Sequence, residues 1–175
     1  MSTVQNSSPD TYLTLAEPAE GLYKEKGSKF IALAFPVQNE TDIKEKLAEV
    51  RKTYFDARHH CYAYLLGAAK NTYRANDDGE PNHSAGDPIL GQIRSKNLAN
   101  VLVVVVRYFG GTKLGVGGLI SAYKISAADA LNHAVIVERD IVASLTIRYD
   151  YAATPEIMKI VKEFGLEIVE QAFAD

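Results

Sequence analysis

The densest chemical signal in this 175-residue chain is Arg107-Tyr108-Phe109-Gly110-Gly111-Thr112-Lys113-Leu114-Gly115-Val116-Gly117-Gly118, with five glycines between an apolar run and a helical pattern. Glycine admits φ > 0 and lets a backbone come close to a ligand or to another chain segment. A helix that starts after such a loop presents unpaired N–H groups and a partial positive charge, which suits phosphate. Lys113 and Arg107 would add formal charge. The spacing is neither that of the Walker phosphate loop nor that of the dinucleotide fingerprint. Two readings stay open: an anion-receptive loop, or a tight strand-to-helix connection whose glycines serve packing. On the first, the phosphate- or RNA-contacting residues are Arg107, Tyr108, Phe109, Gly110, Gly111, Lys113, Gly115, Gly117 and Gly118.

Asp77-Asp78-Gly79-Glu80-Pro81 places three carboxylates within four residues, enough to attract a hard cation or to do acid–base work. EF-hand spacing is absent. An acidic turn whose Asp side chains bond backbone N–H groups is favoured over a dedicated metal site. Asp77, Asp78 and Glu80 then face the glycine loop and can pair with Arg107 or Lys113. Arg58-His59-His60-Cys61 sets a thiol beside imidazoles, the types of a nucleophile and its base. Adjacent strand residues point to opposite faces, so only His59 and Cys61 share a side. A lone Cys in an apolar strand is more often inert packing, and no catalytic residue is assigned. His83 offers a further imidazole. Among Tyr62, Tyr64, Tyr73, Tyr108, Phe109 and Tyr123, the pair Tyr108-Phe109 at a strand end is the best placed for exposure, where aromatics stack on RNA bases. His59, Cys61 and Tyr123 are neighbours of the site.

These residues need elements to hold them. Thr11 to Glu17 alternates as a strand, and Phe30 to Val37 reads as another, with the charged bend Lys24-Glu25-Lys26-Gly27-Ser28-Lys29 between them. Asn39 or Thr41 caps a helix carrying Ile43, Leu47 and Val50. His60 to Leu66 is strand-like, and residues 75–88 form a turn-rich acidic loop. Asp87 as N-cap with Pro88 next opens a helix through Ile89, Leu90 and Ile93. Val101 to Val106 is β-branched at nearly every position, as in a strand buried on both faces. A helix from about Gly118 to Asn132 follows, with Leu119, Ala122, Tyr123, Ser126, Ala127 and Ala130 near one face. After a composition shift at Arg139-Asp140, Ser144 to Tyr151 reads as a strand, Thr154-Pro155-Glu156 opens a helix, and Leu166 to Phe173 reads as a strand. That is one βαβ unit, too small to close a core alone.

With 47% apolar and 23% charged residues, the chain has an ordinary globular composition. A net charge of -3 argues against a basic nucleic-acid coat, so RNA would meet a local patch. One cysteine excludes an intrachain disulfide and a multi-cysteine zinc site. Residues 1–10 are polar and expected to fray, and they lack a secretory pattern. No apolar run is long enough to cross a bilayer. A cytoplasmic protein with no cofactor and no membrane partner is expected.

Four segments carry a resemblance to the Impact/YigZ family, in its bacterial YigZ-like branch. They are Lys26-Gly27-Ser28-Lys29-Phe30-Ile31, Ala57 to Tyr64, Asp77 to Pro81 with Ala85-Gly86, and Arg107 to Gly111 with Leu114-Gly115 and Gly117-Gly118-Leu119. The chain departs from the family pattern at His83-Ser84, where Gly-Thr is common, and at Ser121, where Arg is often found. The resemblance implies an α+β protein. Its residues 1–140 would form an Impact-type N-terminal domain of the ribosomal protein S-five domain-two-like fold. Residues 141–175 would open a ferredoxin-like domain, present in part. The resemblance also implies a role in translational control for eukaryotic relatives, through a partner of a protein kinase. Those relatives carry an additional RWD domain that is not visible here, so that contact is not carried over. The expected function is a non-enzymatic RNA- or ribosome-associated binding protein. The alternatives are an enzyme acting on a nucleotide or phosphorylated small molecule, with Asp78 or Glu80 as base, and a protein-interaction regulator of translation.

Overall fold

A computed structural model describes residues 10–172, so the fraying expected of residues 1–9 lies outside the described residues. The chain divides into two compact units between Ile141 and Val142.

The first unit is built on the apolar run. Strand β6, Val101–Tyr108, is buried from Val101 to Arg107 and sits at the centre of a five-stranded sheet. The sheet order is β2 (Ala19–Glu25), β3 (Ser28–Pro36), β6, β4 (His59–Leu66), β5 (Thr72–Asn76), with every neighbouring pair antiparallel. Alternation along β6 sends Val101, Val103 and Val105 to one core and Leu102, Val104 and Val106 to the other, as the period of two requires. Helix α1, Glu40–Thr53, lays Ile43, Leu47 and Val50 on the second core. Asn39 caps it by accepting the Asp42 amide at 2.9 Å. Helices α2, Gly86–Ser95, and α3, Gly115–His133, cover the first core. Leu119, Ala122, Tyr123, Ser126, Ala127 and Ala130 form the buried face of α3, as their spacing predicts.

Three strands escape the periodicity. β2 is polar and packs under α3, where a Cβ on Gly21 would meet the Ala130 backbone N at 2.3 Å. β5 is a largely exposed edge. Strand β7, Ile136–Asp140, pairs antiparallel with β1, Thr11–Leu15, in a separate two-stranded sheet.

The second unit contains a 3-10 turn at Tyr151–Ala153 and helix α4, Thr154–Glu163. The strands expected at Ser144 to Tyr151 and at Leu166 onward are not formed: none of the described residues there pairs in a sheet. A β pattern without a neighbouring strand has no ladder to join. None of the described residues 142–172 is buried.

Candidate functional site

Three strands bring Phe30, Arg107 and His59 into one row, because Phe30 pairs with Arg107 across β3/β6 and Arg107 pairs with His59 across β6/β4. Arg107 turns inward. Its Nη1 donates to Glu80 Oε1 at 2.6 Å, and both side chains are buried. Tyr123 Oη, from α3, donates to the same oxygen at 2.7 Å. Tyr123 meets Phe30 edge-on at 5.2 Å. Arg107 Nε is buried without a hydrogen-bond partner among the described residues. The expectation that Arg107 lends free charge to an anion pocket is therefore corrected: its guanidinium is committed to Glu80, the pairing of acidic loop with basic strand end weighed above.

Cys61 lies in the same buried network, its Sγ 2.9 Å from Asp77 O and 3.3 Å from Tyr123 Oη. Burial pushes the Cys61 thiol up, and it pushes the Tyr123 phenol up as well. A thiol held protonated is a poor nucleophile, so Cys61 packs. His59 Nδ1 stands 2.9 Å from Asp78 O.

The acidic turn satisfies itself. Asp77 Oδ1 accepts the Ala85 and Gly86 amides at 3.0 and 2.8 Å, and Oδ2 accepts the His83 amide at 2.8 Å. Partial burial would raise this carboxyl, but the amide hydrogen bonds from Gly86, His83 and Ala85 outweigh it and hold the group below its ordinary value. Asp77 thus caps α2 from eight and nine residues upstream. The capping role expected of Asp87 is corrected: α2 begins at Gly86, and Asp87 bonds His83 Nδ1 at 2.6 Å from within the first turn. Asp78 accepts the His60 amide at 2.7 Å and approaches Arg51 at 3.5 Å. Among the described residues, no group of three or more His, Cys, Asp or Glu side chains could hold a metal ion.

The glycines divide between the two readings. Gly110 is a packing residue: a Cβ there would lie 1.9 Å from Gly27 C, and its amide donates to Ser28 Oγ at 3.1 Å. Gly111 and Gly115, by contrast, take φ of +89° and +72° with open space where a Cβ would stand, and Gly117 is open too. Helix α3 starts at Gly115, earlier than the spacing predicts, so Gly115, Gly117 and Gly118 lie in its first turn. Leu114 is the N-cap and makes no side-chain cap bond. Residues 109–113 and 115–117 are exposed, Lys113 among them. Tyr108 donates to Asp56 at 2.7 Å, and that bond pushes its phenol up to about 12. Phe109 is 52% exposed.

The Gly27–Gly110 contact adds residues that spacing did not assign to the site. It seats the β2–β3 bend against the loop and brings the exposed Lys24, Lys26 and Lys29 to this end of the sheet. Lys24 and Lys29 stand directly opposite each other in the ladder. The signal was the lysine-rich bend itself, whose partner only the fold reveals.

Comparison with known proteins agrees with this architecture. The family described as the Impact N-terminal domain matches residues 26–131. An IMPACT family member, YvyE of Bacillus subtilis, is 37% identical over 153 residues, covering 87% of this chain and 70% of the relative. YigZ of Escherichia coli, also an IMPACT family member, is 33% identical over 144 residues, covering 81% and 71%. A solved structure described as that of a hypothetical protein superposes with a TM-score of 0.82 at 28% identity, covering 95% of this chain and 82% of that one. With the Arg-Tyr-Phe-Gly-Gly strand end wedged on its lysine-rich bend, and with this match over most of its length, the chain belongs to the IMPACT family.

Proposed function

We propose that this chain is a non-enzymatic RNA-binding protein acting in translation, which meets RNA on the ribosome through the end of the sheet where β6 passes into α3. The observation that carries this is an uncapped, glycine-opened helix start beside exposed Lys113, with exposed Lys26 in the bend that packs on Gly110 and exposed Lys24 and Lys29 flanking that bend. Backbone N–H groups and the helix dipole favour phosphate there, and lysines supply the counterion-releasing contacts on which nucleic-acid affinity depends. Glu80 does not cancel them, since its carboxylate is taken by Arg107 and Tyr123. The translational setting comes from the family resemblance.

The test is equilibrium binding to ribosomes and to structured RNA at several salt concentrations. Affinity should fall steeply with salt, and Lys113→Ala should lower the log–log slope by about 1. No detectable binding at low salt defeats the proposal, and capture of a protein partner without salt-steep RNA binding would favour the protein-interaction alternative.

A further inference from the structure

Phe109 is a large apolar ring with 52% of its surface exposed, between the end of β6 and the glycine-rich loop that carries exposed Lys113. Its aromatic neighbours are otherwise engaged: Tyr108 is tied to Asp56, and Phe30 and Tyr123 are buried against each other. The ring is also held from below. The Arg107 guanidinium lies 5.7 Å from its centroid and cannot swing out to solvent, because Glu80 holds it at 2.6 Å. A cation over an aromatic face fixes the ring by its quadrupole. The backbone on either side is pinned as well, by the Lys29–Tyr108 ladder pair before the ring and by the Gly110–Ser28 hydrogen bond after it.

We infer that Phe109 is a preorganised stacking platform for an unpaired base, so that the RNA taken at this site is single-stranded where it crosses the β6–α3 loop. This rests on the RNA-binding proposal above and narrows it to a substrate class. Unpaired bases present π-faces to an aromatic, whereas a duplex hides them in its own stack. The charge complements that occupant: Lys113 in the loop and Lys26 in the bend that packs on Gly110 are exposed to meet the backbone, and a rigid platform lowers the ordering cost of binding.

The experiment compares one short, unstructured oligoribonucleotide with the same sequence paired to its complement, using the full chain. Phe109→Leu keeps an apolar side chain and removes the π-face, while Phe109→Tyr keeps the face. The unpaired strand should bind about tenfold more tightly than the duplex, and Phe109→Leu should remove about tenfold of its affinity without changing the salt slope, the size expected for one stacked base. Phe109→Tyr should stay within about twofold of the unaltered chain, because tyrosine stacks as phenylalanine does. A 2-aminopurine in the strand should be quenched on binding the unaltered chain and not on binding Phe109→Leu. Equal affinity for strand and duplex, or an unaltered Phe109→Leu affinity, overturns the inference while leaving salt-dependent RNA binding in place. Absence of salt-dependent binding to any RNA overturns both. Thermal unfolding of Phe109→Leu should match the unaltered protein, as the ring is half exposed.

Discussion

Arg107 and Glu80 form an ion pair of 2.6 Å whose side chains are only 7% and 4% exposed. The pair ties the central strand to the acidic turn, and Tyr123 ties α3 to the same carboxylate oxygen. Removing two charges from water costs several kcal/mol per ion, so such a pair adds little net stability yet is costly to break from one side. Its effect is to fix one arrangement of strand, turn and helix.

Glu80→Ala should therefore destabilise the protein by about 3–5 kcal/mol, because it strands a buried guanidinium and removes the acceptor of Tyr123. The double variant Arg107→Met/Glu80→Leu should recover most of that loss. Urea unfolding at neutral pH checks both, and a Glu80→Ala cost below about 1 kcal/mol would show that water reaches the guanidinium.

Two glycine substitutions should act in opposite directions. Gly110→Ala forces a methyl to within 1.9 Å of the Gly27 carbonyl carbon, so the bend and the loop must separate, at about 2 kcal/mol or more. Gly117→Ala enters open space in the first turn of α3 and should stabilise by about 1 kcal/mol through helix propensity. Thermal unfolding of the two single variants separates packing glycines from open ones.

Acid should expose the work of Asp77. Its carboxyl titrates below the ordinary value of 3.8 in the folded chain, so the unfolded state binds the proton more readily. The stability it contributes is fully present above 3.8 and is lost as pH falls through the lowered folded value. Asp77→Asn should cost about 1 kcal/mol at pH 7, the usual worth of a cap, and the gap between variant and unaltered protein should close below the folded value. A gap that stays constant across that range would mean that the amide bonds do not depend on the charge.

Much of this fold is written locally. The β-branched run of β6 and the Asn39 cap need no distant partner to be recognised, and the face of α3 follows from its spacing. What escaped was relational. β2 buries Gly21 under α3 and exposes Glu20, Leu22 and Lys24, and β7 is an exposed strand defined by its ladder with β1. The cap of α2 comes from Asp77 across a turn instead of from the adjacent Asp87, and that turn passes through positive φ at Asp78, Gly79 and His83. The alternating segments around α4 show the converse, a β pattern with no strand to pair. The site divides the same way: Lys113, Phe109 and a pairing of the acidic turn with Arg107 were legible as types, whereas the choice of Glu80 as the partner and the arrival of the lysine-rich bend beside Gly110 depend on contacts between distant segments.

Cys61 provides the last test, because its position beside two histidines invites a catalytic role that its surroundings oppose. The side chain is buried, its Sγ sits against the Asp77 carbonyl and the Tyr123 hydroxyl, and burial drives the thiol pKa upward. Reaction with a thiol reagent requires the thiolate and access to it. At pH 8 the folded protein should therefore leave Cys61 unmodified by a reagent such as iodoacetamide over the time in which a urea-unfolded sample reacts fully, as read by mass spectrometry. Cys61→Ala should leave RNA affinity unchanged while costing about 1–2 kcal/mol of stability, the cavity left by a small buried side chain. Rapid modification of the folded chain would instead place a reactive thiolate beside Glu80 and reopen the case for chemistry in this network.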